Sequence, residues 1–122
     1  MRRILALPVL LAFLSCGGDD LTPVESCKQT FAVLCDKIFA CFTKEELNTP
    51  VAKAAFGLNA SDCKVKFQSS ECNAEQAKCD AGEKFQAANA QACIDGMKGL
   101  SCSDIKMEDI PLPAICSQVC IK

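Results

Sequence analysis

Cysteine is the residue type with the greatest chemical potential in this chain, since eleven of the 122 residues are cysteines. Clustered thiolates can bind zinc, but such a site usually needs two closely spaced cysteine pairs or cysteines together with histidine. Only Cys116 and Cys120 have a suitable spacing, and the chain contains no histidine. A redox-active Cys-x-x-Cys pair is also missing from the sequence. We therefore predict no metal site and no reactive thiol pair.

Catalysis by the other residue types is disfavoured as well. A serine, threonine or cysteine nucleophile needs a general base, which is most often histidine. The remaining candidates are two pairs of adjacent acids, Glu45 with Glu46 and Glu108 with Asp109. Adjacent acids are typical of a solvated surface, whereas catalytic carboxyl groups face each other across a cleft and have shifted pKa values. The sequence predicts no catalytic residues, no enzymatic activity and no cofactor apart from a covalent lipid.

That lipid is suggested by the N-terminus, which has the pattern of an export signal. Arg2 and Arg3 precede residues 4–14, which are apolar except for Pro8. This stretch is too short for a membrane-spanning helix, which needs about 20 apolar residues, but it suits the hydrophobic part of a secretory leader. We predict a signal peptide over residues 1–15.

The residues that follow resemble the cleavage box of bacterial lipoproteins, with Ser15, Cys16 and Gly17 in order. The resemblance implies that Cys16 becomes the first residue of the mature chain and carries acyl chains that anchor it in a membrane. A plain secreted protein is the alternative. Glycine rather than aspartate after the cysteine favours the outer over the inner membrane. Residues 16–25 would form the lipid attachment and a flexible tether, because they are rich in glycine, proline and acidic residues.

Residues 26–122 then form one small domain in an oxidising compartment, where disulfides persist. Without the leader, eleven lysines stand against fifteen acidic residues, a formal charge of about −4. A nucleic-acid partner is not expected, because such binders need a basic surface. The even number of remaining cysteines predicts five disulfides in this domain. The ten cysteines are Cys27, Cys35, Cys41, Cys63, Cys72, Cys79, Cys93, Cys102, Cys116 and Cys120.

Helices must position these cysteines. Apolar residues recur every three or four positions over residues 25–42 and again over 85–100, which predicts two amphipathic helices. Thr22 or Ser26 could cap the first helix. Pro50 and Gly57 bound a shorter helix, and Asn59 or Ser61 could cap another that reaches residue 70.

The rest of the chain has weaker signals. Residues 71–82 and the prolines at 111 and 113 predict loops, and residues 114–119 predict a short helical turn. No stretch alternates with the period of a strand. The fold class that follows is all-α: a small disulfide-stapled bundle of three to five short helices.

Helix geometry limits the pairing. Cysteines eight or nine residues apart on one helix are ~12–13.5 Å apart, beyond the reach of a disulfide. Cys27 should therefore not pair with Cys35, nor Cys93 with Cys102, and each helix should be bridged to a neighbour at both ends. This spacing is echoed three times, in Cys27 with Cys35, Cys63 with Cys72 and Cys93 with Cys102. The echoed spacing suggests that one cysteine lies in each helix's first turn and the next just past its end. A bridge between Cys72 and Cys79 is the local pairing we favour.

The cysteine pattern also resembles a family. The runs 92–102 and 113–120, with the cysteine-rich first helix around Cys27–Cys41, are similar to the small cysteine-rich lipoproteins of myxobacteria and their relatives. The resemblance covers nearly the whole mature chain. It implies the scaffold, and it supplies no catalytic or ligand-binding residues.

Three functions remain open. The first is a rigid envelope module that contacts other envelope proteins. The second is a protease inhibitor or effector, which would present an exposed loop such as residues 43–51. The third is a carrier of lipid or another apolar ligand, which needs a cavity on the order of 300 Å³ or more. Candidate lining residues are Phe31, Phe39, Phe42, Phe56, Phe67 and Phe85.

Overall fold

The structure is a computed structural model that describes residues 21–122, so the predicted signal peptide and Cys16 lie outside the described residues. It contains five α-helices, one 3-10 helix and two very short strands, in chain order α1 Pro23–Cys41, α2 Lys44–Leu47, α3 Pro50–Phe56, α4 Ala60–Glu71, β1 Lys84–Phe85, α5 Ala87–Lys98, the 3-10 helix Ala114–Gln118, and β2 Cys120–Ile121. The predicted all-α, disulfide-stapled bundle is confirmed. Among the described residues, no helix combines the length and apolarity that crossing a bilayer requires.

The first helix begins at a capping box. The Thr22 hydroxyl accepts a hydrogen bond from the Glu25 backbone N–H at 3.2 Å, and the Glu25 carboxylate accepts one from the Thr22 N–H at 3.1 Å. Two of the N–H groups that a helix start leaves without partners are thereby satisfied. Pro23, whose missing N–H costs nothing at a helix start, follows directly. Thr22 is thus the cap, and α1 begins inside the segment predicted as tether.

The two helices after the first loop follow their local signals closely. Pro50 begins α3, and Gly57 ends it with a φ of 80°, a conformation that favours glycine. A side chain at Gly57 would also meet the Asp62 Cβ atom at 2.9 Å. Asn59 caps α4 by accepting a hydrogen bond from the Asp62 N–H at 2.8 Å.

Residues 43–51 differ from the prediction of an exposed loop. They contain all of α2 and the start of α3. The reason is a second capping box: the Thr43 hydroxyl accepts from the Glu46 N–H, and the Glu46 carboxylate accepts from the Thr43 N–H at 2.8 Å. A four-residue helix shows no periodicity in sequence, so only its cap could have revealed it.

The core lies where α1 meets the other elements. Ile38 and Phe42, at the end of α1, are buried against Ile105 from the loop after α5. A second buried group lies on α5 and consists of Ala90, Cys93, Ile94 and Met97. The α1 helix packs against both α4 and α5, so it is the central element of the bundle.

The strand pair corrects the expectation of no strands. Lys84 pairs with Ile121 and Phe85 with Cys120 in an antiparallel ribbon. Residue 85 was predicted to belong to a helix, but α5 begins two residues later, at Ala87. Two residues are too few for an alternating pattern to be recognised, and the pairing joins segments that are far apart in the chain.

Candidate functional site

All ten cysteines of the described chain form disulfides, which confirms the predicted disulfide scaffold. Their Cα–Cα distances, 4.7–5.8 Å, lie within the usual range for a bridge. The five pairs are Cys27–Cys72, Cys35–Cys63, Cys41–Cys102, Cys79–Cys120 and Cys93–Cys116.

Two nested bridges clamp α1 to α4 as an antiparallel pair. Cys27 near the start of α1 bonds to Cys72 at the end of α4, and Cys35 bonds to Cys63 in the first turn of α4. The rings of Phe31 and Phe67 stack between these bridges, with centroids 4.7 Å apart and planes within 4°. Stacked rings at this distance add to the burial energy, so covalent and apolar contacts reinforce each other along one seam.

The C-terminal half repeats the nesting with different elements. The bridge Cys79–Cys120 encloses Cys93–Cys116, which fixes the 3-10 helix against α5. The Asn89 side chain also donates a hydrogen bond to the Gln118 carbonyl oxygen at 2.8 Å. The fifth bridge, between Cys41 and Cys102, joins the two halves.

The favoured Cys72–Cys79 bridge is wrong. Because α4 runs antiparallel to α1, its C-terminal end lies beside the start of α1, and Cys72 meets Cys27 there. The loop then carries Cys79 away to Cys120. The exclusion of bridges within one helix is confirmed, since Cys27 and Cys93 both pair with other elements.

The echoed spacing does not mark equivalent helix positions. Cys35 lies in the middle of α1 rather than past its end, and Cys93 lies in the middle of α5 rather than in its first turn. Only Cys63 and Cys72 occupy the first turn and the C-cap of the same helix, α4.

The remaining chemistry of the described residues is modest. Cys116 and Cys120, the pair with zinc-like spacing, are bonded to different partners, and no group of three or more potential metal ligands occurs in residues 21–122. Of the adjacent acids, Glu46 belongs to the capping box of α2. Hydrogen bonds from the Ser101 hydroxyl at 2.6 Å and its backbone N–H at 3.2 Å lower the pKa of Asp104. Asp104 is exposed in a turn, and its hydrogen bonds with Ser101 stabilise that turn.

An open cleft of about 560 Å³ lies between the end of α1 and the helices α2 and α3. We call it the distal cleft; it is lined by Phe39, Lys44, Glu45, Leu47, Asn48, Lys53 and Leu58. Leu58 is 72% exposed, and Val51 on α3 is 78% exposed. Within residues 21–122, Lys44 and Lys53 form no ion pair. Exposed apolar side chains beside unpaired charges are suited to contact with another protein.

A smaller cleft of about 280 Å³, the proximal cleft, opens beside the start of α1. Its apolar lining includes Pro23, Phe85, Leu112 and Val119, together with half-cystine side chains. Leu112 is 61% exposed. The sequence predicted neither cleft. The walls of the proximal cleft come from distant segments that disulfides bring together, whereas the distal cleft is formed by residues 39–58, where the four-residue helix α2 shows no periodicity.

The phenylalanines do not line one common cavity. Phe31 stacks on Phe67, and Phe42 is buried in the core. Phe39 lines the distal cleft and Phe85 the proximal cleft. Phe42 is the one buried member of the six, and the other five are half-buried at helix contacts or cleft walls.

Compared with known proteins, the chain matches no family model, no curated protein and no solved structure.

Proposed function

We propose that this chain is an exported, lipid-anchored module of a bacterial cell envelope that acts by binding other envelope proteins. The observation that carries the proposal is that every cysteine in residues 21–122 is committed to a disulfide. Such a framework persists in oxidising compartments and is reduced in the cytosol. Export therefore accounts for the ten disulfide-bonded cysteines. The eleventh cysteine, Cys16, would serve as the lipid attachment site. The outer membrane is favoured because Gly17 follows that cysteine.

The surface supports a binding role. The distal cleft combines apolar side chains with two lysines and a glutamate. Beside it, α2 begins at a capping box, α3 begins at the Thr49 cap, and the Cys35–Cys63 bridge fixes α1 to α4. A surface that is rigid before binding loses little conformational entropy when a partner docks. A non-enzymatic role fits the lack of histidine in the whole chain.

Neither alternative is favoured by a specific observation. An inhibitory loop binds in extended conformation, whereas residues 43–51 are largely helical. A carrier surrounds its ligand, whereas the distal cleft is open to solvent along its length.

Mass spectrometry of the intact protein from a lipoprotein-producing bacterium tests the anchor and the scaffold together. We expect a chain that begins at Cys16 with acyl chains attached, and no reaction of the other ten cysteines with an alkylating agent before reduction. The control is Cys16→Ser, which should abolish the acyl mass and release the protein from membranes while leaving the disulfides intact. A native chain that begins after residue 16, or one that alkylates without reduction, contradicts the proposal.

The binding role is tested by crosslinking in envelope preparations. We expect Leu58→Asp to lose the crosslinked partner, because the charge disrupts the apolar rim of the distal cleft. Val65→Asp is the matched control, since Val65 is 66% exposed on α4 and does not line that cleft. Equal loss in both variants, or in neither, argues against the distal cleft as the binding surface.

A further inference from the structure

We propose that the proximal cleft docks onto the lipid bilayer, with Leu112 entering the boundary between headgroups and acyl chains. This docking would orient the domain so that the distal cleft faces away from the membrane. The inference rests on the proposed acylation of Cys16.

The length of chain between the anchor and the fold limits where the domain can lie. Five Cα–Cα steps separate Cys16 from Leu21, the first described residue, and at full extension they span at most about 18 Å. The start of α1 follows at Pro23, which lines the proximal cleft. Phe39 in the distal cleft lies 16 residues further along α1, about 24 Å at ~1.5 Å per residue. The proximal cleft is therefore the one that the anchor keeps beside the bilayer.

The two clefts also differ in charge. The lining of the proximal cleft contains no lysine, aspartate or glutamate, whereas the distal cleft contains Lys44, Glu45 and Lys53. The nearby acid Glu25 is already engaged in the capping box with Thr22. Moving charged groups out of water is costly, so the uncharged cleft is the one that suits a hydrocarbon boundary.

The segment that carries Leu112 can be partly removed from water at a low energetic cost. Pro111 and Pro113 flank it, and neither has a backbone N–H that would need a hydrogen-bond partner. Pro113 also packs closely on α5, where a Cβ atom at Gly96 would lie 2.9 Å from the Pro113 Cγ atom. Leu112 is thus held outward by a stiff, anchored loop, and little flexibility is lost when it docks.

Tryptophan fluorescence tests the proposal directly, because the chain contains no tryptophan or tyrosine. Leu112→Trp and Leu58→Trp each introduce a single reporter at a similarly exposed site, one in each cleft. The acylated proteins are reconstituted into vesicles of phosphatidylethanolamine and phosphatidylglycerol that contain phosphatidylcholine brominated near the headgroup. We expect roughly two-fold or greater quenching at position 112 and almost none at 58, since a docked apolar face lies ~5–10 Å into the interface. Tryptophan itself prefers membrane interfaces. Leu58→Trp controls for this preference, because it introduces the same residue in the distal cleft.

Soluble acrylamide provides the second readout and should quench position 58 more strongly than 112. Equal quenching by brominated lipid at both sites, stronger quenching at 58, or none at either site overturns the docking proposal. Protection of position 112 from acrylamide without quenching by brominated lipid means that protein covers the cleft, such as a second copy of the chain, and also overturns it. Mass spectra of the same samples separate the two proposals: without acyl chains on Cys16 the proposed function fails, whereas acylated protein without docking refutes only this inference.

Discussion

The two halves of the domain use the same covalent pattern for different purposes. Residues 21–72 and residues 73–122 are each closed by two nested disulfides. In the first half the bridges join two long helices whose side chains pack along a common seam. In the second half, beyond α5, Ile105 is the single side chain buried among residues 99–122. The second half also contains the buried residues of α5, so disulfides reinforce packing among α1, α4 and α5 and largely replace it in the segments before and after α5.

The largest effect should come from removing the buried bridge of the first half. Both sulfur atoms of Cys35–Cys63 are fully buried, and the bridge closes 28 residues of chain. We expect the double substitution Cys35→Ala with Cys63→Ala to lower the free energy of unfolding by ~3–5 kcal/mol, because the unfolded chain gains freedom and the seam loses contacts. Urea unfolding followed by far-ultraviolet circular dichroism measures this.

The matched comparison is Cys79→Ser with Cys120→Ser in the second half. Residues 117–122 contain no buried side chain, so the released tail gains freedom in the folded state too, and this offsets part of the gain in the unfolded state. The global transition should move less than half as far, while the amide protons of the β1–β2 ribbon lose their protection from exchange. A larger global loss here than for the buried pair means that the contrast between the halves is wrong.

Ile105 tests how far residues 99–122 depend on their single buried side chain, which joins the core beside the half-buried Leu100 and Ile110. The side chain is 5% exposed and packs against Ile38 and Phe42. We expect Ile105→Ala to cost about 2–4 kcal/mol through lost burial and the cavity left behind.

Met107→Ala is the control, since Met107 lies two residues further along the same loop and is 36% exposed. It should change the unfolding free energy by no more than about 0.5 kcal/mol. Similar losses for the two variants mean that Ile105 does not join the second half to the core.

The features that could be predicted from the sequence are those that depend on neighbouring residues rather than on long-range packing. The starts of α1, α3 and α4 follow from Thr22, Pro50 and Asn59, and the end of α3 follows from Gly57, because caps and helix-ending residues act on their immediate neighbours. Two-residue strands carry no such signal. Disulfide pairing depends on how helices pack, which is why the exclusions within a helix held and the proposed Cys72–Cys79 bridge did not. The proximal cleft could not be predicted for the same reason, since segments joined by bridges form its walls.

The smallest expected effect concerns Gly96, near the end of α5, and Gly99 at its C-cap. Replacing Gly96, inside the helix, with alanine should favour the helix by up to about 1 kcal/mol, and the gain at the C-cap Gly99 is smaller. At Gly96 the added Cβ atom would lie 2.9 Å from the ring of Pro113, and relieving that overlap costs ~1–3 kcal/mol. Gly99 has an ordinary φ of −79°, and its nearest neighbouring atom is 3.5 Å away. We therefore expect Gly96→Ala to destabilise by about 1 kcal/mol and Gly99→Ala to be neutral or stabilising, as measured by urea unfolding. If the two substitutions change the unfolding free energy in opposite directions, the contact between α5 and the Pro113 loop limits the stability of the second half. If both change it in the same direction, that contact does not determine the stability of this half.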